Sequence, residues 1–140
     1  LGPVEHEMLE AYATLGFIVA HTEKVLLHTL VTGVLYREPA LLAKQVTTLD
    51  VLSGGRVGLG IGAAWNEEES RGLGFTFPPV AERYELLEDA LRLLPLMWGP
   101  GSPAFEGHRT SVSEATTASF ALLRCLCGDP VRSSDGSGSV

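Results

Sequence analysis

Two short stretches of this 140-residue chain carry the residues best suited to chemistry, Thr32-Gly33 and Gly62-Ala63-Ala64. Each ends an apolar run, and each is built from small side chains. At the carboxyl end of a strand, small residues let the main chain approach a flat, largely apolar ring, and backbone N–H groups there can meet its oxygens. Thr32 adds a hydroxyl. The same residues also suit a tight strand-to-helix turn with no ligand at all. Trp65 follows, either as a wall on the substrate side of such a ring or as packing beneath the next helix. No residue is assigned a catalytic role. Glu67, Glu68 and Glu69 read as a solvated first helical turn, where negative charge suits the helix end. His28 reads as a core histidine on a buried strand, and His6, His21 and His108 as surface positions. Cys125 and Cys127 lack partners at metal-ligand spacing, so they read as reduced thiols and no metal is expected.

The elements that must hold these stretches follow from pattern. Glu5 to Ala20 carries Met8, Leu9, Tyr12, Leu15 and Val19 at helical spacing and predicts a helix beginning near Pro3. Val25 to Thr32 is almost continuously apolar, as a strand buried on both faces would be, and Gly33 closes it. Pro39 suits a first helical turn, and Leu41, Leu42, Gln45, Val46, Leu49 and Leu52 line one face of the helix that follows. Ser53-Gly54-Gly55 stops it, because glycine tolerates positive φ. Arg56 to Gly62 is a second buried strand, and Leu27 and Gly58 stand 31 residues apart, the spacing of a strand, a crossover helix and a parallel strand. Asp50 and Arg56 then make structural contacts at the amino ends of the strands. Glu82 to Trp98 is a longer helix through Tyr84, Leu87, Ala90, Leu91, Leu94 and Trp98, which Pro95 should bend or shorten.

Past Trp98 the composition changes. Gly99 to Pro103 reads as a linker, Phe105 to His108 as one side of a hairpin, and residues 109–140 as a low-complexity tail with an apolar island at Ala118 to Cys127. The domain is therefore drawn as 1–108, with 109–140 outside it. A formal charge of −7 argues against nucleic acid and anionic membranes as partners. No stretch approaches the roughly 20 apolar residues of a membrane span, and no signal peptide is visible; the two reduced thiols point to the cytoplasm.

Four motifs in order carry a family likeness: Thr29 to Gly33, Arg37 to Lys44, Thr48 to Arg56, and Gly58 to Asn66. With Phe77-Pro78-Pro79, Glu82-Arg83 and Phe105-Glu106-Gly107, the chain from Pro3 to His108 resembles the luciferase-like monooxygenases, most closely the branch using the deazaflavin coenzyme F420. The resemblance implies an α/β fold, a (β/α)8 barrel of which this chain supplies about strands three and four with their flanking helices. It implies an oxidoreductase moving a hydride between F420, or alternatively FMN, and a small organic substrate. It further implies a bulge ending the third strand against the central ring, with Ala63, Ala64 and Asn66 along the cofactor and Asn66 bonding a phosphate or ribityl oxygen. Acid–base residues would lie on the second strand, outside the chain. The family's continuation past Gly107 is not matched, as a reading-frame slip near Arg109 would produce.

Two rival readings stand beside this one. Gly58, Gly60 and Gly62 suggest a nicotinamide-binding α/β dehydrogenase, although the dinucleotide fingerprint is G-x-G-x-x-G at a strand-to-helix turn. Alternatively the chain is an inactive, truncated piece. Two strands cannot close a barrel, so a homo-oligomer or an aggregation-prone chain is expected.

Overall fold

The computed structural model describes residues 7–115. In chain order the elements are α1 (Ala11–His21), β1 (Leu27–His28), β2 (Thr32–Gly33), a 3-10 turn (Val34–Tyr36), α2 (Pro39–Ser53), β3 (Val57–Gly58), β4 (Ile61–Gly62), α3 (Glu67–Gly72), α4 (Val80–Trp98), β5 (Phe105–Glu106) and β6 (Ser111–Val112). β1 pairs with β3 and β2 with β4, both parallel, and β5 pairs with β6 antiparallel. Each predicted strand is therefore interrupted. Among the described residues the β/α/β unit pairs in parallel as expected, but Leu27 stands opposite Val57 rather than Gly58, so the partners are 30 residues apart in the first ladder and 29 in the second, not 31.

The first helix is shorter than its periodicity predicts. Met8 and Leu9 are exposed, and Glu10 caps α1 by accepting the Ala13 N–H on Oε2 at 2.7 Å. Pro3 lies outside the described residues, as do His6, both cysteines and the 118–127 island. α2 starts at Pro39 as expected and ends in a left-handed Gly54 (φ 69°) followed by Gly55 (φ 86°). Their N–H groups bond the carbonyls of Val51 and Asp50 at 3.2 and 2.9 Å, satisfying acceptors that the helix end leaves open.

α1, α2 and α4 cover only one face of the strands. Leu42, Ala43, Val46 and Leu49 of α2 meet Ala90, Leu93, Leu94 and Met97 of α4 in a core shared with Tyr12, Val19, Leu27 and Val57. Trp98 Nε1 donates to Thr47 Oγ1 at 3.0 Å and ties the two long helices together. Leu41 and Leu52, expected on the buried stripe of α2, face solvent, and so do Tyr84 and Leu91 of α4. Leu93 and Met97 take their places. α4 continues through Pro95 to Trp98, its proline exposed on the outer surface. The first predicted strand is likewise buried on one face rather than two, whereas both residues of β3 are buried. Leu27 and Thr29 point to the helices, whereas Leu26, His28 and Leu30 are exposed. His28 is thus no core residue; its ring lies against Gly58 of the neighbouring strand. Among the described residues no helix is long and apolar enough to cross a membrane, and no cluster of His, Cys, Asp or Glu is placed to hold a metal ion.

Asp89 fastens the β5–β6 hairpin to α4. Its fully buried carboxylate accepts the backbone N–H groups of His108, Arg109 and Thr110 at 2.8, 2.6 and 2.9 Å. Gly107 has no room for a Cβ, because one would run into that carboxylate. The hairpin crosses Arg109, where the composition changes, and Ala115 beyond it is buried. Burial pushes the Asp89 carboxyl up, but the three amides with His108 outweigh it and hold the group below the usual range. A pKa lower in the folded than in the unfolded chain stabilises fully above the unfolded value, about 3.9, and that contribution is lost as pH falls through the folded value. Asp89→Asn should accordingly cost about 2–4 kcal/mol in urea unfolding at pH 7, and progressively less at acid pH below about 3.9. Equal losses at neutral and acid pH would show that the carboxylate charge is not what holds the hairpin.

Candidate functional site

The two ladders differ in register by one residue. Leu27 and His28 pair with Val57 and Gly58, but Thr32 and Gly33 pair with Ile61 and Gly62. Three residues, Thr29 to Val31, therefore stand opposite two, Leu59 and Gly60, which is a bulge. Thr29 braces it with one hydroxyl, which donates to the Gly60 carbonyl at 2.9 Å and accepts the Gly60 N–H at 3.2 Å. The same carbonyl also accepts Thr32 N–H at 2.8 Å and restarts the ladder. A Cβ on Gly60 would run into the Thr29 carbonyl oxygen, so only glycine fits there. The bulge turns Leu30 out until 97% of it is exposed, with Val31 beside it.

Beyond the bulge, pairing of Gly33 with Gly62 sets Thr32-Gly33 and Gly62-Ala63-Ala64 side by side. Gly33 leaves its neighbours little space, since a Cβ there would stand 3.0 Å from the Tyr36 ring and 3.4 Å from Ala64 Cβ. Ala64 has φ 59°, a left-handed conformation unusual for alanine. Trp65 is 76% exposed, which removes the alternative that it packs beneath the following helix. Leu30, Val31 and Trp65 thus leave apolar side chains exposed at two neighbouring strand ends.

The polar groups divide differently from expectation. The Thr32 hydroxyl is turned inward and bonds Tyr12 Oη at 2.6 Å, so only the main chain of Thr32 is left at the tip. Arg37 lies over the Tyr12 ring at 4.6 Å and pairs with Glu10. Asn66 caps α3, its Oδ1 accepting Glu69 N–H at 3.1 Å. Glu67, Glu68 and Glu69 are exposed in that first turn, and Glu69 also accepts the Tyr36 hydroxyl at 3.0 Å. Ser70, fully buried, donates to the same Tyr36 oxygen at 3.1 Å.

Arg83 escaped attention in the sequence beyond its place in a motif. From the first turn of α4, its Nη1 donates to the carbonyls of Ala63 and Ala64 at 3.1 and 2.5 Å. Its Nε donates to Pro78 at 3.1 Å, and the guanidinium lies 4.2 Å over the Phe77 ring. The one available signal was Phe77 followed by Arg83 across a helix start. Arg56 does similar work at the opposite strand ends, donating to the carbonyls of Ser53, Val25 and Thr22 at 2.8, 2.7 and 2.8 Å. Asp50 beside it is buried, and burial, opposed by the Val57 N–H, pushes its carboxyl up. Asp50 and Arg56 therefore make structural contacts at the amino ends. An open hollow between α1 and the end of α2, lined by Gly16, Val19, Leu52 and Arg56, lies at those amino ends, away from Gly62 to Asn66.

Two substitutions separate the parts of the bulge. Gly60→Ala forces backbone against backbone and should cost about 2–3 kcal/mol. Thr29→Val keeps the shape but strands the Gly60 N–H, while the Gly60 carbonyl keeps the Thr32 N–H, at about 1–2 kcal/mol. Chemical denaturation measures both; a neutral Gly60→Ala would mean that the register shift is absent in solution.

The chain is similar to known proteins along most of its length. The luciferase-like monooxygenase profile matches residues 2–122. The F420-dependent glucose-6-phosphate dehydrogenase of Kineococcus radiotolerans is 37% identical over 109 residues, covering 76% of this chain and 32% of that protein. A structure of an F420-dependent secondary alcohol dehydrogenase with an F420-acetone adduct superposes with a TM-score of 0.73 at 25% identity, covering 81% of this chain and 35% of that one. The oxygenating constituent of 3,6-diketocamphane monooxygenase from Pseudomonas putida, in complex with FMN, shares the fold at 18% identity, with a TM-score of 0.66 over 75% of this chain and 29% of its own. The chain spans about a third of the length of these proteins. With its profile matched along most of the sequence, the chain belongs to the luciferase-like monooxygenase family.

Proposed function

We propose that β1 to β4 and their helices are about the third and fourth units of a (β/α)8 barrel, and that their carboxyl ends form one wall of a deazaflavin or flavin site. The observation that carries this reading is the pairing of Gly33 with Gly62, which sets two tips of small residues together beside exposed Leu30, Val31 and Trp65. A planar apolar ring fits that surface: side chains cover its edge, and main chain meets its face. Thr32, Gly33, Gly62, Ala63 and Ala64 would hold the ring, and Trp65 would face the substrate. Asn66 would donate its Nδ2 to a ribityl oxygen. Phosphate is disfavoured there, because Glu67, Glu68 and Glu69 surround the same turn.

The bound group supplies hydride transfer to or from a small organic substrate, while these residues orient it and keep water from one face. F420 is the preferred cofactor and FMN the alternative, since the relatives named above include users of each. The nicotinamide reading loses its support from geometry. Gly58 and Gly62 lie in ladder positions opposite His28 and Gly33, and the helix that follows opens on three carboxylates where a pyrophosphate would have to sit.

Equilibrium dialysis of the 140-residue chain against F420, FMN and NADH tests the assignment. Saturable binding of F420, weaker binding of FMN and none of NADH are expected, without turnover, because one wall leaves the other face of a ring in water. Binding of NADH alone would reverse the assignment, and binding of nothing would end it. The exposed Leu26, Leu30 and Val31 beside two-strand ladders also predict self-association. Sedimentation velocity should show oligomers that Leu30→Glu reduces; a compact wild-type monomer would contradict this.

A further inference from the structure

We infer that Arg83 is a positioning residue that turns two successive backbone amides, those of Ala64 and Trp65, into a paired oxygen-binding site on the face of the loop away from α4. This rests on the proposed ring site and assigns the groups that would hold an oxygen acceptor there. Successive carbonyls of an extended strand point to opposite sides. Here those of Ala63 and Ala64 both reach one nitrogen, Arg83 Nη1, at 3.1 and 2.5 Å. The left-handed Ala64, φ 59°, makes that possible. In a trans peptide the N–H lies opposite its carbonyl, so the amides of Ala64 and Trp65 both face away from the guanidinium. Neither donates to another group among the described residues. Two consecutive amides left on one side of a left-handed residue are the groups from which anion-binding backbone nests are built.

Arg83 is built to keep this geometry. It pairs with no carboxylate among the described residues, and its plane is held by Phe77 on one face and by Pro78 at Nε. Its charge is therefore directed onto the two peptide groups, polarising both N–H bonds toward the far side. The acceptor suited to such a pair is a carbonyl or enolate oxygen on the edge of a planar ring. The neighbouring Glu67 to Glu69 make a fully charged phosphate the poorer occupant.

Arg83→Ala and Arg83→Lys in the full chain test this with two independent readouts. The first needs no ligand: in nitrogen-15 spectra the amides of Ala64 and Trp65 should shift in Arg83→Ala, while core amides such as Leu42 and Leu93 stay in place. The second is F420 affinity, expected to fall about tenfold in Arg83→Ala and less in Arg83→Lys, which can reach one carbonyl. Guanidinium ion at sub-denaturing concentration should restore part of the loss. If Arg83→Ala does not fold, Arg83→Lys decides alone. Unchanged amide signals together with wild-type affinity would overturn the inference. Should the wild-type chain bind neither F420 nor FMN, the ring site falls, and the ligand-free amide shifts still decide whether Arg83 sets the loop.

Discussion

The structure depends on a single carbonyl, that of Gly60, which accepts both the Thr29 hydroxyl and the Thr32 N–H. That double acceptance lets one strand carry an extra residue without leaving its neighbour unpaired. Everything beyond follows from the resulting shift of register. Gly33 falls opposite Gly62, Leu30 is expelled from the ladder, and the loop after Gly62 starts from a point where only small residues fit. Without the shift, every residue after Val31 would exchange faces, because side chains alternate along a strand.

Two arginines hold the ends of this unit by the same physical means. Arg56 gathers carbonyls of Thr22, Val25 and Ser53 where the strands begin, and Arg83 gathers those of Ala63, Ala64 and Pro78 where they finish. A guanidinium offers several donors in a rigid plane, so it can satisfy carbonyls from separate segments that no single backbone group could reach. Between the two, the packing of α2 on α4 supplies the apolar core, and Asp89 adds a third point of attachment by collecting amides instead of carbonyls. Loops on both sides of the strands are thus fixed by ionised groups bonded to main chain.

The sequence was most legible where backbone chemistry is local. Pro39 at a helix start and Gly54-Gly55 at its end act within a few positions, and each was found where expected, whereas the strand-to-strand repeat fell one and two residues short of 31. Thr32-Gly33 does meet Gly62 and Ala64, because parallel pairing follows from that repeat. Burial was less legible. An apolar run such as Val25 to Thr32 reads as doubly covered, yet which faces are covered depends on elements outside the run. His28 and Trp65 were misjudged or left open for that reason. Long-range polar partners were hidden altogether: nothing near Thr32 announces Tyr12, and nothing near Ala64 announces Arg83, 20 and 19 positions away respectively.

One small feature at the tip has a wider reach. Asn66 carries a side-chain amide that in principle both gives and receives hydrogen bonds. Because the Glu69 N–H occupies its oxygen, that end is committed to the helix. The Nδ2 protons are what the side chain keeps for other partners, so its orientation toward the loop is set by the first turn of α3 and not by the strand it follows.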